Sequence, residues 1–234
     1  MRSATPSHTL CLTATVVLTL FAITGGATAQ PISDTFTLDN QQRVAARSLD
    51  GLTTEQGAAI WRVSEGASAV FTSEGAIGCA KHSAVQAQIA VAAPTQPTTV
   101  QIQAVLKSSD WVAVAFHSTD KTPDFFDKTR DAQLWLMLRP SGHWQLWQQG
   151  ISKSLRDGLI ASFDSLKPHT LLLTYDPTAN TVTARVDNQT VVGALPLGQF
   201  KPSIHAAGFR INALKDVEAT DARVDNFKLE TTAP

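Results

Sequence analysis

Residues 130 to 150 read "RDAQLWLMLRPSGHWQLWQQG" and hold three of the chain's five tryptophans. Trp135 and Trp147 lie on either side of Pro140, Ser141 and Gly142, with Gln133, Arg139, His143 and Gln145 at alternating positions around them. Indole faces stack on the apolar faces of sugar rings, while amide, guanidinium and imidazole groups bond hydroxyls or a carboxylate. An indole buries roughly 150–250 Å², worth about 4–6 kcal/mol at about 25 cal/mol/Å². A sugar ring covers one face only, so roughly half of that is available before ordering costs are subtracted. The platform would hold a saccharide weakly, in the micromolar to millimolar range.

Other chemistry-bearing residues are dispersed. No Gly-x-Ser-x-Gly elbow and no phosphate-cradling Gly loop occurs. Asp124 and Asp127 in "PDFFDK", and Asp216, Glu218 and Asp221 in "KDVEATD", fall in predicted loops, where carboxylates are solvated. Tyr175, the only tyrosine, shares parity with Leu171 and Leu173, which predicts a packed ring whose hydroxyl reaches the following turn. His82, His117, His143, His169 and His205 lack metal-ligand spacing and read singly as surface or strand-end residues, His143 excepted. Cys79 has no basic cluster beside it and reads as a small buried apolar residue. "NQT" (188–190) matches a glycosylation sequon without a bacterial use. No catalytic residue, metal ligand or cofactor motif is nominated.

The elements that must position the tryptophans are strands. Apolar alternation runs through 99–106, 111–116, 132–139, 143–148, 170–175, 181–186, 205–211 and 222–229, separated by turn signals such as "PSG" and "DPTAN". This pattern, with almost no helical periodicity, predicts an all-β, antiparallel two-sheet sandwich. Pro140-Ser141-Gly142 suits a three-residue bulged loop. Counting outwards from it sets Leu138 opposite Trp144, Met137 opposite Gln145, Leu136 opposite Leu146 and Trp135 opposite Trp147. Leu134, Leu136, Leu138, Trp144 and Leu146 then face a core. Gln133, Trp135, Met137, Arg139, His143, Gln145, Trp147 and Gln149 share the reverse face. The 118–129 loop, with Phe125 and Phe126, could cap that face.

Arg2 precedes an apolar run from Thr9 to Ile23 that ends in small residues at Ala27 and Ala29, the form of a bacterial signal peptide over 1–29. The run is shorter than the roughly 18 residues of a membrane span. Residues 30–234 then make one domain, secreted or periplasmic. Arg2 is the only charged residue before Gln30, so this part carries 18 basic against 20 acidic residues, a net charge of −2 without runs. That balance argues against nucleic acid. Cys79 alone remains, so no internal disulfide forms.

Several stretches resemble the concanavalin A-like lectin/glucanase superfamily, which includes laminin G-like modules and legume lectins. Residues 34–63, "DTFTLDNQQRVAARSLDGLTTEQGAAIWRV", are similar to its first strand, connection and Trp-bearing second strand. "WVAVAFHSTD" (111–120) resembles the strand before the lectins' sugar-site loop, 169–192 a hairpin, and "VDNFKL" (224–229) the closing strand that pairs near the first. The resemblance covers nearly all of 30–234. It implies a jelly roll whose concave outer face often holds glycans. It does not carry over the lectins' metal site, because the strand "AQLWLMLR" has no carboxylate. Nor does it carry over the Glu-x-Asp-x-x-Glu pattern of the glucanases, which is missing. The expectation is an exported, non-enzymatic carbohydrate-binding module using Trp135, Trp147, Arg139, His143, Gln145 and Gln133. The alternatives are a glycoside hydrolase or polysaccharide lyase with dispersed catalytic groups, and a protein-contacting envelope module.

Overall fold

The computed structural model describes residues 30–64, 69–79, 84–107, 109–120, 131–213 and 221–231. Its strands in chain order are β1 (Ile32–Asp34), β2 (Trp61–Val63), β3 (Ala69–Phe71), β4 (Ile77–Cys79), β5 (Ala84–Ala90), β6 (Thr98–Val105), β7 (Ser109–His117) and β8 (Ala132–Leu138), followed by β9 (His143–Gln148), β10 (Arg156–Leu159), β11 (His169–Asp176), β12 (Thr181–Val186), β13 (Gln189–Pro196), β14 (Ala206–Ala213) and β15 (Arg223–Thr231). They form two sheets. One has the order β13-β12-β11-β6-β15-β4-β3, with β1 also paired to β15, and the other β10-β9-β8-β7-β14-β5-β2. All strand pairs are antiparallel, and consecutive strands repeatedly change sheet, which is the jelly-roll course. The closing strand does lie beside the first, Ile32 opposite Leu229.

One buried core lies between the sheets because each strand sends alternate side chains inward. Leu134, Leu136 and Leu138 of β8 meet Trp144 and Leu146 of β9 there, together with Val112, Val114 and Phe116 of β7 and Leu171, Leu173 and Tyr175 of β11. The Tyr175 hydroxyl reaches Asn180 Oδ1 at 3.3 Å, in the turn that follows. Cys79 is buried in the same core.

The β8–β9 hairpin has the register expected from the sequence, with Trp135 opposite Trp147 and Leu136 opposite Leu146. Gly142 takes a positive φ of 80°. Its N–H donates to Arg139 O at 2.9 Å, and Arg139 N donates to His143 O at 2.9 Å, so the loop closes after three residues.

A second set of buried groups ties the two chain ends together. Asp34 accepts Arg43 Nη1 at 2.6 Å, Arg43 Nη2 at 2.9 Å, Trp61 Nε1 at 2.8 Å and Phe36 N at 2.9 Å. The Trp61 ring sits among Phe36, Phe209 and Phe227. Arg43 also reaches Glu55 at 3.1 Å. Burial raises the Glu55 pKa, but bonds from the Thr35 hydroxyl and amide and from the Thr37 amide, with the Arg43 charge, leave it below the ordinary carboxylate range.

His117 corrects one expectation. It does end a strand, β7, but it is not a surface residue: it is 0% exposed. Burial drives its pKa from 6.5 down to about 3. The folded protein therefore keeps the ring neutral while the unfolded chain takes up a proton below pH 6.5. Between pH 6.5 and pH 3 stability is lost as pH falls, by up to about 1.4 kcal/mol per unit. Urea midpoints at pH 7 and pH 5 should differ by roughly 2 kcal/mol of unfolding free energy on this account, and His117→Gln should flatten the difference. An unchanged slope in that variant would assign the acid sensitivity elsewhere.

Candidate functional site

The outer face of the seven-stranded sheet carries the tryptophans. Trp135 and Trp147 are cross-strand neighbours whose rings lie parallel, 4° apart with centroids 5.9 Å from each other. Beside them Trp111, Ala113 and Ala115 of β7 and Met137 of β8 form an apolar cluster separate from the main core. Both indole Nε1 atoms are buried, and Trp147 Nε1 has no acceptor among the described residues. The two residues are partly buried, and neither indole N–H reaches solvent. Such an aromatic surface suits the C–H face of a pyranose and offers no donor to a hydroxyl.

Polar groups border this shelf at successive register positions. Gln145 is half-buried, between Met137 of β8 and Asp157 of β10. His143 Nε2 lies 3.7 Å from Asp157 Oδ1. Arg139 Nη1 donates to Asp110 Oδ1 at 2.7 Å, and Asn212 Nδ2 donates to Asp110 Oδ2 at 3.2 Å. Further across the face, the Arg210 guanidinium lies over the Trp111 ring, 5.4 Å from its centroid.

Gln133 lies apart from this group. It is 4% exposed; its Nε2 donates to Gln149 Oε1 at 2.6 Å and its Oε1 accepts Ser203 N at 3.0 Å. With both ends of its amide engaged, Gln133 braces the Ser203 segment against β8 and has no group turned to a ligand. Arg139 and His143 also differ from the sequence expectation, since each already faces a carboxylate. Asp110, Asp157 and Trp111 escaped sequence reasoning. Asp110 adjoins a recognised strand, but its pairing with Arg139 crosses two strands, and β10 has no apolar alternation to mark Asp157 as a strand residue.

The chain leaving β7 turns across the sheet. Gln88 Nε2 of β5 donates to Thr119 O at 2.9 Å, and Ser118 N donates to Asp131 O at 2.7 Å, which closes the base of the loop. Phe125 and Phe126, expected as possible caps, lie outside the described residues.

Asp110 and Asp157, the carboxylates described above beside the shelf, each face a basic side chain. Asp225, pushed up by burial and by Glu55 and Asp34, belongs to β15 in the other sheet. Asp34 itself is buried and fully occupied. Among the described residues no three His, Cys, Asp or Glu side chains come together to hold a metal ion. No helix among the described residues is long and apolar enough to cross a membrane.

Two antiparallel sheets with this strand course define a concanavalin A-like jelly roll of the lectin type. No family model matches the chain, and no curated protein matches it. Solved structures do. The Emp47p carbohydrate recognition domain is 14% identical, with 81% of this chain and 95% of that one covered and a TM-score of 0.54. Lectin II from Ulex europaeus is 10% identical, with 88% and 100% covered and a TM-score of 0.54. Arcelin-5, a lectin-like defense protein from Phaseolus vulgaris, is 10% identical, with 89% and 100% covered and a TM-score of 0.56. At these identities the likeness is one of fold.

Proposed function

We propose that the protein is an exported, non-enzymatic module that binds a polysaccharide or surface glycan on the outer face of its seven-stranded sheet. The observation that carries this reading is the parallel Trp135–Trp147 pair, partly exposed with neither indole N–H at the surface. Gln145 supplies an amide beside it, and the Arg139–Asp110 and His143–Asp157 pairs supply further donors and acceptors for hydroxyls. The solved lectins that share the fold support it: lectin II from Ulex europaeus has been seen complexed with galactose, and the VIP36 lumenal domain bound to calcium and Man3GlcNAc. The signal-like segment over 1–29 supports a secreted or periplasmic site of action.

Affinity electrophoresis against a polysaccharide panel, with a glycan array beside it, tests the reading. Trp147→Ala is expected to weaken retardation by about 10-fold or more, since a stacked aromatic contact is worth about 2 kcal/mol. Trp135→Ala together with Trp147→Ala should abolish it, with the unfolding midpoint checked in parallel. Retardation that survives the double substitution would remove the platform. Release of reducing ends or of an unsaturated product from the same polymers would move the protein to the hydrolase or lyase class.

A further inference from the structure

We infer that the tryptophan face selects uncharged polysaccharides and turns away polyanions such as uronate-rich or sulfated polymers. This rests on the reading above that the face binds glycan, and it follows from how the polar rim is arranged. A site for an acidic polymer needs cationic groups held ready for carboxylate or sulfate, commonly an arginine with its fork open. Here the arginine and the histidine that border the shelf each face a carboxylate. Arg139 meets Asp110 at 2.7 Å, and Asp110 is fixed from its other side by Asn212. His143 meets Asp157 at 3.7 Å.

The rim thus sets two carboxylates against one guanidinium and one imidazole, so it has no positive excess whether or not the ring carries a proton. Arg210, the next cation across the sheet, is engaged with the Trp111 ring, 5.4 Å from its centroid. An anionic polymer laid along Trp135 and Trp147 would bring its charges beside Asp110 and Asp157. The two side chains are 44% and 54% exposed, so water screens this repulsion only in part. A neutral polymer meets none of it, and the paired groups still offer hydrogen bonds to hydroxyls.

The test is affinity electrophoresis of the purified protein in gels containing galactomannan, xyloglucan, polygalacturonate, alginate or dextran sulfate, at low and at high salt. At least one uncharged polymer is expected to retard the protein about 10-fold more than any polyanion, with little change on adding salt, since exposed charges do not drive the contact. Asp110→Asn with Asp157→Asn, which removes the carboxylates facing Arg139 and His143, is expected to gain salt-sensitive retardation by polyanions that the wild type lacks. Asp157→Asn alone should show part of the gain. Stronger retardation of the wild type by a polyanion, lost on adding salt, would overturn the selectivity and leave glycan binding standing. No retardation by any of the five polymers would remove both.

Discussion

Replacing Asp34 with alanine is expected to destabilise the protein by about 3–5 kcal/mol, the range found when one member of a buried ion pair is removed. The carboxylate is 0% exposed and takes four donors at 2.6–2.9 Å, from Arg43 twice, Trp61 and Phe36. Its loss leaves the Arg43 guanidinium with only Glu55 and Thr53 O, inside a site where its side chain is 9% exposed. It also orphans the Trp61 indole N–H and the Phe36 amide. Phe36 adopts a positive φ of 54°, which a bulky residue keeps only when its surroundings hold it there. Since Asp34 lies opposite Phe227 and Trp61 packs on that ring, the damage spreads to the contact between the first and last strands. The reading is a fall in the urea midpoint with the m-value unchanged. Combining Asp34→Ala with Arg43→Met should recover part of the loss, because the uncompensated charge goes with the arginine. A double variant as unstable as Asp34→Ala would place the cost in the orphaned N–H groups instead.

Gly208→Ala is the second large effect, expected at about 3 kcal/mol or more from overpacking against backbone. A Cβ there would lie 2.1 Å from Ala87 O and 2.7 Å from Gln88 Cα. Those atoms cannot give way easily, since β14 is hydrogen-bonded along its length to β5 on one side and β7 on the other. Gly193→Ala in the edge strand β13 is the control. It meets nothing within 4 Å and has no positive φ, so it should be neutral or stabilising by less than about 1 kcal/mol. Equal midpoints for the two variants would contradict the close approach of β14 to β5. Because Gly208 lies in one cross-strand row with Ala115, Trp135 and Trp147, its replacement should also disturb the tryptophan pair, which near-UV circular dichroism would report.

The parts of the fold that were legible are those where apolar alternation is long. The segments 143–148 and 181–186 match β9 and β12 residue for residue, and the other recognised runs differ from β6, β7, β8, β11, β14 and β15 by one or two residues at their ends. The short strands were harder to read. β3 and β4 are three residues each and buried throughout, so they carry no alternation. β10, "RDGL", buries almost nothing; it exists because β9 offers it an edge and because Gly158 leaves room for the Trp144 ring. Of the site, the sequence placed Trp135 and Trp147 side by side, yet gave no sign that Gln133 would be enclosed or that His117 would be wholly buried.

What the sequence determined by itself is which side chains share a face. A strand's period of two and the length of a turn are local properties, so parity and register can be counted from the chain alone. The tertiary structure alone decided which part of that face is covered and which charge meets which. Arg139 finds Asp110, and Gln88 finds Thr119, only because the sheet order sets β7 between β8 and β14 and β5 beyond it. Burial and ion pairing depend on strands that are distant in the chain and adjacent in the sheet, and no local pattern encodes that adjacency.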